Sequence, residues 1–112
     1  MRMWMVDPAG MCDRHLLGEH VEIHMLAGTL ARPRSIDGFI AKGLLEPAAM
    51  GARHEALAAE MGRRGFNHRS PLPECDLGYL PAAAREARVD VAVSGRELAA
   101  RCERCAGPEA AR

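Results

Sequence analysis

The sequence predicts an all-α protein, a single compact domain of three principal helices with long ordered loops. A chain of 112 residues can build one modest core. Apolar residues make up 48% of the chain but aromatic residues only 4%, and a core of Leu, Ile, Val, Met and Ala suits helix packing. Apolar positions also recur at helical spacing in three segments. We expect residues 1–106 to form the helical domain and residues 107–112 to be a frayed tail.

The first helix is expected to begin close to the start of the chain. Asp7 can cap it, and Pro8 suits its first position, where a missing backbone N–H costs nothing. Pro33 sets its latest end. The apolar face that follows Pro8 comprises Cys12, Leu16, Ile23, Leu26, Ala27 and Leu30.

Two further segments follow before the middle of the chain ends. Residues 35–42 predict a short helix or turn closed by Gly43. Pro47 opens a second long helix, which Gly65 ends as a left-handed cap, with Phe66 packing back on the last turn. The apolar stripe of this helix is Met50, Leu57, Ala58 and Met61.

The last third predicts a loop and then a third helix. Residues 67–84 contain three prolines and one glycine, so they form an ordered loop rather than a long helix. The third helix has two possible starts, a cap at Asp90 or a capping box formed by Ser94-x-x-Glu97. Its buried face is expected to continue through Leu98 and Cys102.

Charge and hydropathy limit where the protein works. No apolar run approaches the ~20 residues that span a bilayer, and the first residues lack the apolar stretch of a signal peptide. We therefore expect a cytoplasmic protein. The formal net charge is zero, which argues weakly against a nucleic-acid partner, but residues 31–69 carry seven basic against four acidic side chains. This middle third is the candidate electrostatic footprint.

The cysteines raise the question of a metal. Cys102-x-x-Cys105 is half of a zinc-site pattern, but Cys12 and Cys75 lie far away in sequence. His20 and His24 have the four-residue spacing of a helical metal clip, a pairing that is common without a metal. We expect reduced, buried or incidental thiols, and we predict no metal site and no cofactor.

Polar residues that could take part in catalysis or bind a metal are concentrated on the first helix, in the run DRHLLGEHVEIH over residues 13–24. His15, Glu19 and Glu22 are separated by steps of four and three, so they share one helix face. Each alone is most simply a solvated polar residue. Two carboxylates beside a histidine could also perform acid–base chemistry or hold a metal.

This run, together with RRGFNHRS at the exit of the second helix, resembles the pyrimidine-dimer DNA glycosylases of the phage endonuclease V type. The similarity is ungapped from the start of the chain to the end of the first helix and resumes over residues 53–69. It implies a DNA repair glycosylase with abasic-site lyase activity that acts on pyrimidine dimers in damaged duplex DNA. With that function we expect a monomer that is associated with the nucleoid when it is bound to DNA.

The resemblance also implies a mechanism. The free N-terminal amine, here that of Met1, attacks C1′ of the 5′ nucleotide of the dimer, expels the base and forms an imine. Glu22 matches the essential carboxylate, which assists sugar-ring opening and β-elimination of the 3′ phosphate. An α-amine has a pKa near ~7.7–8.0, against ~10.4 for lysine, so a sizeable fraction is neutral at physiological pH. Because Arg2 is bulky, we expect Met1 itself to be retained and to carry the amine.

The same resemblance assigns DNA contacts. Arg2, Arg14 and His15 are expected to bind DNA beside the amine. At the exit of the second helix the expected phosphate contacts are Arg63, Arg64, Asn67, His68 and Arg69. Such contacts add salt dependence rather than sequence preference. A cluster of cations that merely complements the helix dipole is the alternative for this second group.

Two other functions remain open from the sequence. A non-catalytic DNA-binding or protein-interaction helical module would keep the fold without the chemistry, and the zero net charge favours it. A metal-binding helical protein would use the histidine–glutamate face of the first helix.

Overall fold

The computed structural model describes residues 1–32, 35–67 and 70–105, and within that part the chain is helical and contains no strand. The helices are α1 (Asp13–Leu30), α2 (Asp37–Ala41), α3 (Met50–Arg63), α4 (Ala82–Arg85) and α5 (Val91–Arg101). Because α2 and α4 are about one turn long, α1, α3 and α5 are the principal helices. The predicted all-α, three-helix architecture is confirmed.

Helix α1 begins five residues later than the sequence predicted. Asp7 does act as a cap, but it caps a single 3-10 turn, Pro8–Gly10. The backbone is then extended at Met11 before α1 begins. The reason lies in Arg64, whose Nη2 donates to the carbonyls of Pro8, Ala9 and Met11 at 3.0, 3.4 and 2.7 Å. In a helix that began at Pro8, the carbonyls of Ala9 and Met11 would accept backbone N–H groups instead, as the carbonyl of Pro8 does from Met11.

The core lies mainly between α1 and α3, which pack directly on one another. Met3 also enters this core, and its side chain is fully buried. The buried apolar residues include Leu16, Ile23 and Leu26 from α1, and Met50, Leu57 and Met61 from α3. The predicted apolar faces of these two helices are therefore confirmed.

The ends of α2 and α3 follow the predicted turn chemistry. Gly43 closes the short helix with a φ of 67°, and Gly65 closes α3 with a φ of 85°. The N–H of Phe66 then donates to the carbonyl of Met61 at 2.9 Å, and the Phe66 ring packs against the core. This is the Schellman arrangement, which satisfies a carbonyl of the last helical turn.

Helix α5 begins with Asp90, whose carboxylate accepts from the N–H of Val93 at 3.1 Å. The alternative capping box is wrong, because Ser94 is buried and its hydroxyl donates to the carbonyl of Trp4 at 2.6 Å. Leu98 is buried as expected, whereas Cys102 lies just past the helix and is half-buried.

The remaining predicted segments are only partly described. Within the expected loop over residues 67–84, the described residues 70–81 form no regular helix or strand, and α4 begins at Ala82. Pro33, His68, Arg69 and the predicted tail at 107–112 lie outside the described residues. Among the helices of the described ranges, none is long and apolar enough to cross a membrane.

Candidate active site

The first residues of the chain are anchored against the helices. The backbone N–H of Met3 donates to the carbonyl of Leu44 at 2.7 Å, and the side chains of Met3 and Trp4 are buried. Met5 then adopts a left-handed conformation with a φ of 60°, which is uncommon for a residue other than glycine. These contacts fix the N-terminal segment through its third and fourth residues, while Met1 remains exposed.

Arg2 connects this segment to α5. Its guanidinium lies 3.8 Å from the centre of the Trp4 ring, and its Nη1 and Nη2 donate to Glu97 Oε2 at 2.6 Å and to Ser94 Oγ at 3.2 Å. The Arg2 guanidinium also holds the pKa of the Glu97 carboxyl below its usual range. The Arg2 side chain is nearly buried, so the structure places it as a positioning group rather than as a solvent-facing cation.

The backbone of Arg2 brings the start of the chain to Glu22. The N–H of Arg2 lies 3.3 Å from Glu22 Oε2. Since the amine of Met1 is only three bonds from that nitrogen, it lies within roughly 7 Å of the same carboxylate oxygen. Glu22 is half-buried, and among the described residues no arginine or lysine forms an ion pair with it.

An open cavity of about 610 Å³ lies at this point. Met1, Arg2, His15 and Glu22 all line it, so the structure brings together the four residues that the sequence placed on one surface. Its other lining residues include Trp4, Glu19, Lys42, Glu97 and Arg101.

Glu19, the second carboxylate of the predicted face, is engaged in the interior. It is 1% exposed, and both of its oxygens accept from Arg53, from Nε at 2.6 Å and from Nη2 at 2.9 Å. Arg53 also donates to the carbonyl of Val6 at 2.6 Å. This buried pair joins α1, α3 and the N-terminal segment.

Two cations at the cavity were not predicted. Lys42 follows α2 and Arg101 ends α5, and both are exposed. The guanidinium of Arg101 lies 5.5 Å from the Trp4 ring centre. No local pattern marks these residues, because only the tertiary packing of α2 and α5 brings them to the start of the chain.

The predicted DNA contacts beyond Arg2 fall into two kinds. Arg14 and Asn67 are exposed, and the Arg63 side chain is 69% exposed while it pairs with Glu60. The Arg64 side chain is only 20% exposed and donates to Glu60, to Asp13 and to three backbone carbonyls. Arg64 and then Arg63 lower the pKa of Glu60 through hydrogen bonds. Arg64 is therefore held inside the fold, whereas Arg63 remains open to a partner.

The structure also gathers residues that the sequence kept apart. Cys12 and His15 lie beside Cys102 and Cys105, with ligand atoms within 4.8 Å of one another. The distance of Cys12 from Cys102-x-x-Cys105 in sequence, which argued against a zinc site, therefore does not separate them in the fold. The sequence did contain a signal for this cluster, because Cys12-x-x-His15 itself has the spacing of a metal-ligand pair.

A second group joins His20 and His24 to His54 of α3, with ring centres 4.8 to 5.0 Å apart. Both ring nitrogens of His54 lie 3.1 Å from oxygens, those of the Glu55 carboxylate and of the Ser70 carbonyl. The three side chains offer ring nitrogens within 4.8 Å of one another, so this group is a second place that could hold a metal ion.

Comparison with known proteins agrees with this geometry. The family model described as pyrimidine dimer DNA glycosylase matches residues 1–74, the segment that contains Met1, Glu22 and all of α1 and α3. No curated protein and no solved structure gives a significant match to the chain. Because the matched segment covers well over half of the 112 residues, the chain belongs to the pyrimidine dimer DNA glycosylase family.

Proposed function

We propose that the chain breaks the glycosidic bond of the 5′ nucleotide of pyrimidine dimers in duplex DNA and cleaves the strand at the resulting abasic site, with the α-amine of Met1 as the nucleophile. The general glycosylase activity comes with the family. The observation that carries the mechanism is the 3.3 Å contact between the Arg2 N–H and Glu22 Oε2, which holds a carboxylate next to the start of the chain.

The first chemical step is displacement of the base. The neutral amine forms a bond to C1′ of the 5′ nucleotide while the glycosidic C–N bond breaks, and the base leaves with the electron pair and takes up a proton. The attached nitrogen then loses a proton, the C1′–O4′ bond breaks, O4′ takes up a proton, and a protonated imine remains. A carboxylate close to the amine stabilises that cation, and fixing the two groups together supplies the orientation term.

The second step cleaves the strand. A base removes a proton from C2′, the C3′–O bond breaks, and the 3′ phosphate departs with the electron pair of that bond. Water then hydrolyses the imine and regenerates the amine. We assign the proton transfers of ring opening and elimination to Glu22, because Glu19 and Glu97 are already bonded to Arg53 and Arg2.

The substrate must leave the base stack before the amine can reach C1′, at a cost of a few kcal/mol. The cavity of about 610 Å³ beside Met1 is large enough to admit an extruded nucleotide. We propose that exposed Lys42 and Arg101 at this cavity, with Arg14, contact the flanking phosphates. Arg63 and Asn67 are our proposed contacts at the end of α3.

The test is reductive trapping on a duplex that carries one abasic site. With borohydride the unmodified protein should form a covalent adduct, and peptide mass spectrometry should locate it at the Met1 amine. Selective N-terminal acetylation should abolish the adduct and strand cleavage together. Adding one glycine before Met1 should weaken both, because it moves the amine away from Glu22.

Acetylated protein that still nicks abasic DNA at the normal rate would exclude the N-terminal mechanism. A protein that binds the duplex but gives no adduct would instead be the non-catalytic binding module.

A further inference from the structure

Four metal-ligand side chains meet where the start of α1 contacts the chain beyond α5. Cys12 Sγ lies 3.9 Å from Cys102 Sγ. His15 Nδ1 lies 3.2 Å from Cys12 Sγ and 3.4 Å from Cys105 Sγ. All four ligand atoms lie within 4.8 Å of one another, and all four side chains are half-buried.

The separations of 3.9, 3.2 and 3.4 Å lie close to the edges of a zinc tetrahedron. With Zn–S near 2.3 Å and Zn–N near 2.0–2.1 Å, tetrahedral geometry places two sulfurs about 3.8 Å apart and a sulfur and a nitrogen about 3.6 Å apart. A disulfide would need sulfurs near 2.05 Å, and the four cysteines of the chain are free thiols. The cluster is therefore spaced for a shared ion rather than for a bond between two sulfurs.

Backbone N–H groups point at the three sulfurs of the cluster, although burial raises the pKa of the Cys105 thiol to about 12. The N–H of His15 donates to Cys12 Sγ at 3.5 Å, and the N–H of Cys12 donates to Cys105 Sγ at 3.3 Å. The N–H groups of Arg104 and Cys105 likewise point to Cys102. In both Cys12-x-x-His15 and Cys102-x-x-Cys105, the N–H of the second ligand thus donates to the sulfur of the first. Such donors stabilise the charged form of the sulfur, which is the form that binds metal.

We propose that Cys12, His15, Cys102 and Cys105 bind one zinc ion. Three thiolates and one imidazole suit zinc and are poor ligands for Mg²⁺ or Ca²⁺. With four protein ligands the ion has no open position for water, so the site is structural rather than catalytic. Binding releases the three thiol protons to solvent, and affinity should therefore fall as the pH is lowered.

The ion would brace one wall of the active-site cavity. His15 lines the cavity and its ring meets Trp4 edge-on, with centroids 6.3 Å apart. Trp4 in turn stacks with the Arg2 guanidinium at 3.8 Å. With Nδ1 on the metal, the ring proton of His15 is fixed on Nε2. Two ligands come from the family-matched segment and two from beyond residue 74, so the ion joins the two parts of the chain.

The proposal does not depend on the glycosylase mechanism, and its test measures metal directly. Full-length protein purified under reducing conditions, with zinc supplied during expression, should contain about one zinc per chain by elemental analysis, since four ligands complete one site. Replacement by Co²⁺ should give thiolate charge-transfer bands and the intense visible bands of a tetrahedral ion. Fewer than about 0.1 ions per chain after reconstitution, or an octahedral cobalt spectrum, would overturn it.

Variants then locate the ion. Cys102→Ser combined with Cys105→Ser should lose at least about tenfold in zinc affinity, as competition with a chromophoric chelator measures. Cys75→Ser is the matched control, because Cys75 is also half-buried but lies outside the cluster, and it should keep the full zinc content. Equal zinc affinity in the double variant and in this control would refute the assignment.

A ligand swap covers the case in which the serine variants do not fold. His15→Cys replaces the imidazole by a fourth thiolate, which zinc also accepts. It should retain about one ion per chain while the cobalt charge-transfer absorption grows by roughly one third, as expected for four thiolates in place of three. Retention of zinc with an unchanged cobalt spectrum would show that His15 is not a ligand.

Discussion

Glu19 and Glu22 lie one helical turn apart on the same face of α1 and line the same cavity, yet their surroundings differ. Glu19 is 1% exposed and both of its oxygens are held by Arg53. Glu22 is half-buried and accepts from one backbone N–H, that of Arg2. Helical spacing decides which carboxylates share a face, whereas the partners across the fold decide which one has oxygens left for a substrate.

The largest expected effect is on the open carboxylate. Glu22→Gln should lower incision of abasic DNA by about 10²–10⁴-fold, because the amide neither accepts the proton nor stabilises the cation. The amide oxygen can still accept from the Arg2 N–H, so the unfolding free energy should change by no more than about 0.5 kcal/mol. Single-turnover incision and urea denaturation measure the two quantities.

Glu86→Gln is the control for Glu22, since Glu86 is exposed and is not part of the cavity lining. Normal incision by Glu22→Gln would remove this carboxylate from the mechanism.

The buried carboxylate of Glu19 should affect the stability of the fold rather than incision. Arg53→Met leaves Glu19 charged and unpaired in the interior, which should cost about 3–5 kcal/mol of unfolding free energy. Adding Glu19→Leu to the same chain should recover much of that loss, because an apolar pair no longer contains an uncompensated charge. Guanidinium unfolding of the two variants gives both values.

Arg96→Met on the exposed side of α5 is the matched control and should stay within about 0.5 kcal/mol. A loss below about 1 kcal/mol for Arg53→Met would show that Glu19 is not dependent on this pair.

The same contrast recurs at the end of α3, where Glu60 accepts from the buried Arg64 and the exposed Arg63. Because these hydrogen bonds lower the Glu60 pKa in the folded state, its contribution is present above the ordinary glutamate pKa of about 4.3 and is lost as the pH falls through the lowered value. Glu60→Gln should therefore be less stable than the unmodified protein at pH 7, and the difference should shrink below about pH 4.3. Urea denaturation across this range tests it, and a difference that is independent of pH would contradict it.

The smallest effect concerns the two neighbouring arginines. Arg63→Ala should reduce the slope of log affinity for duplex DNA against log salt by about 1, because an exposed phosphate contact is lost. Arg64→Ala should mainly lower stability, since its donors are used inside the fold. Salt titrations of DNA binding separate the two. If Arg64→Ala changes the slope and Arg63→Ala does not, then Arg64 rather than Arg63 is the phosphate contact.

Sequence alone predicted what short-range chemistry determines. The apolar periodicity of α1 and α3, the glycine caps at Gly43 and Gly65, and the cap at Asp90 all depend on residues within a few positions of one another. The start of α1 was wrong because Arg64, more than fifty residues away, binds the carbonyls that the first turn would have used.

The candidate site divides along the same line. Arg2 and Glu22 are twenty residues apart, and their closeness depends on packing of the N-terminal segment against α1, so the resemblance rather than a local pattern placed both. Lys42 and Arg101 reach the cavity only through packing that no local pattern encodes. The cysteine cluster could be predicted in part, since Cys12-x-x-His15 and Cys102-x-x-Cys105 each have the spacing of metal ligands. Only the fold brings the two pairs together.

The Ser94 hydroxyl determines which of its hydrogen-bond partners must accept and which must donate. A hydroxyl has a single hydrogen, and in this structure it goes to the Trp4 carbonyl at 2.6 Å. The oxygen is then left as an acceptor, which is the role that Arg2 Nη2 requires at 3.2 Å. Alanine would orphan both partners, and a carboxylate could not donate to the carbonyl. The polarity of this one hydroxyl therefore restricts which side chains position 94 accepts, although it lies beyond the family-matched segment.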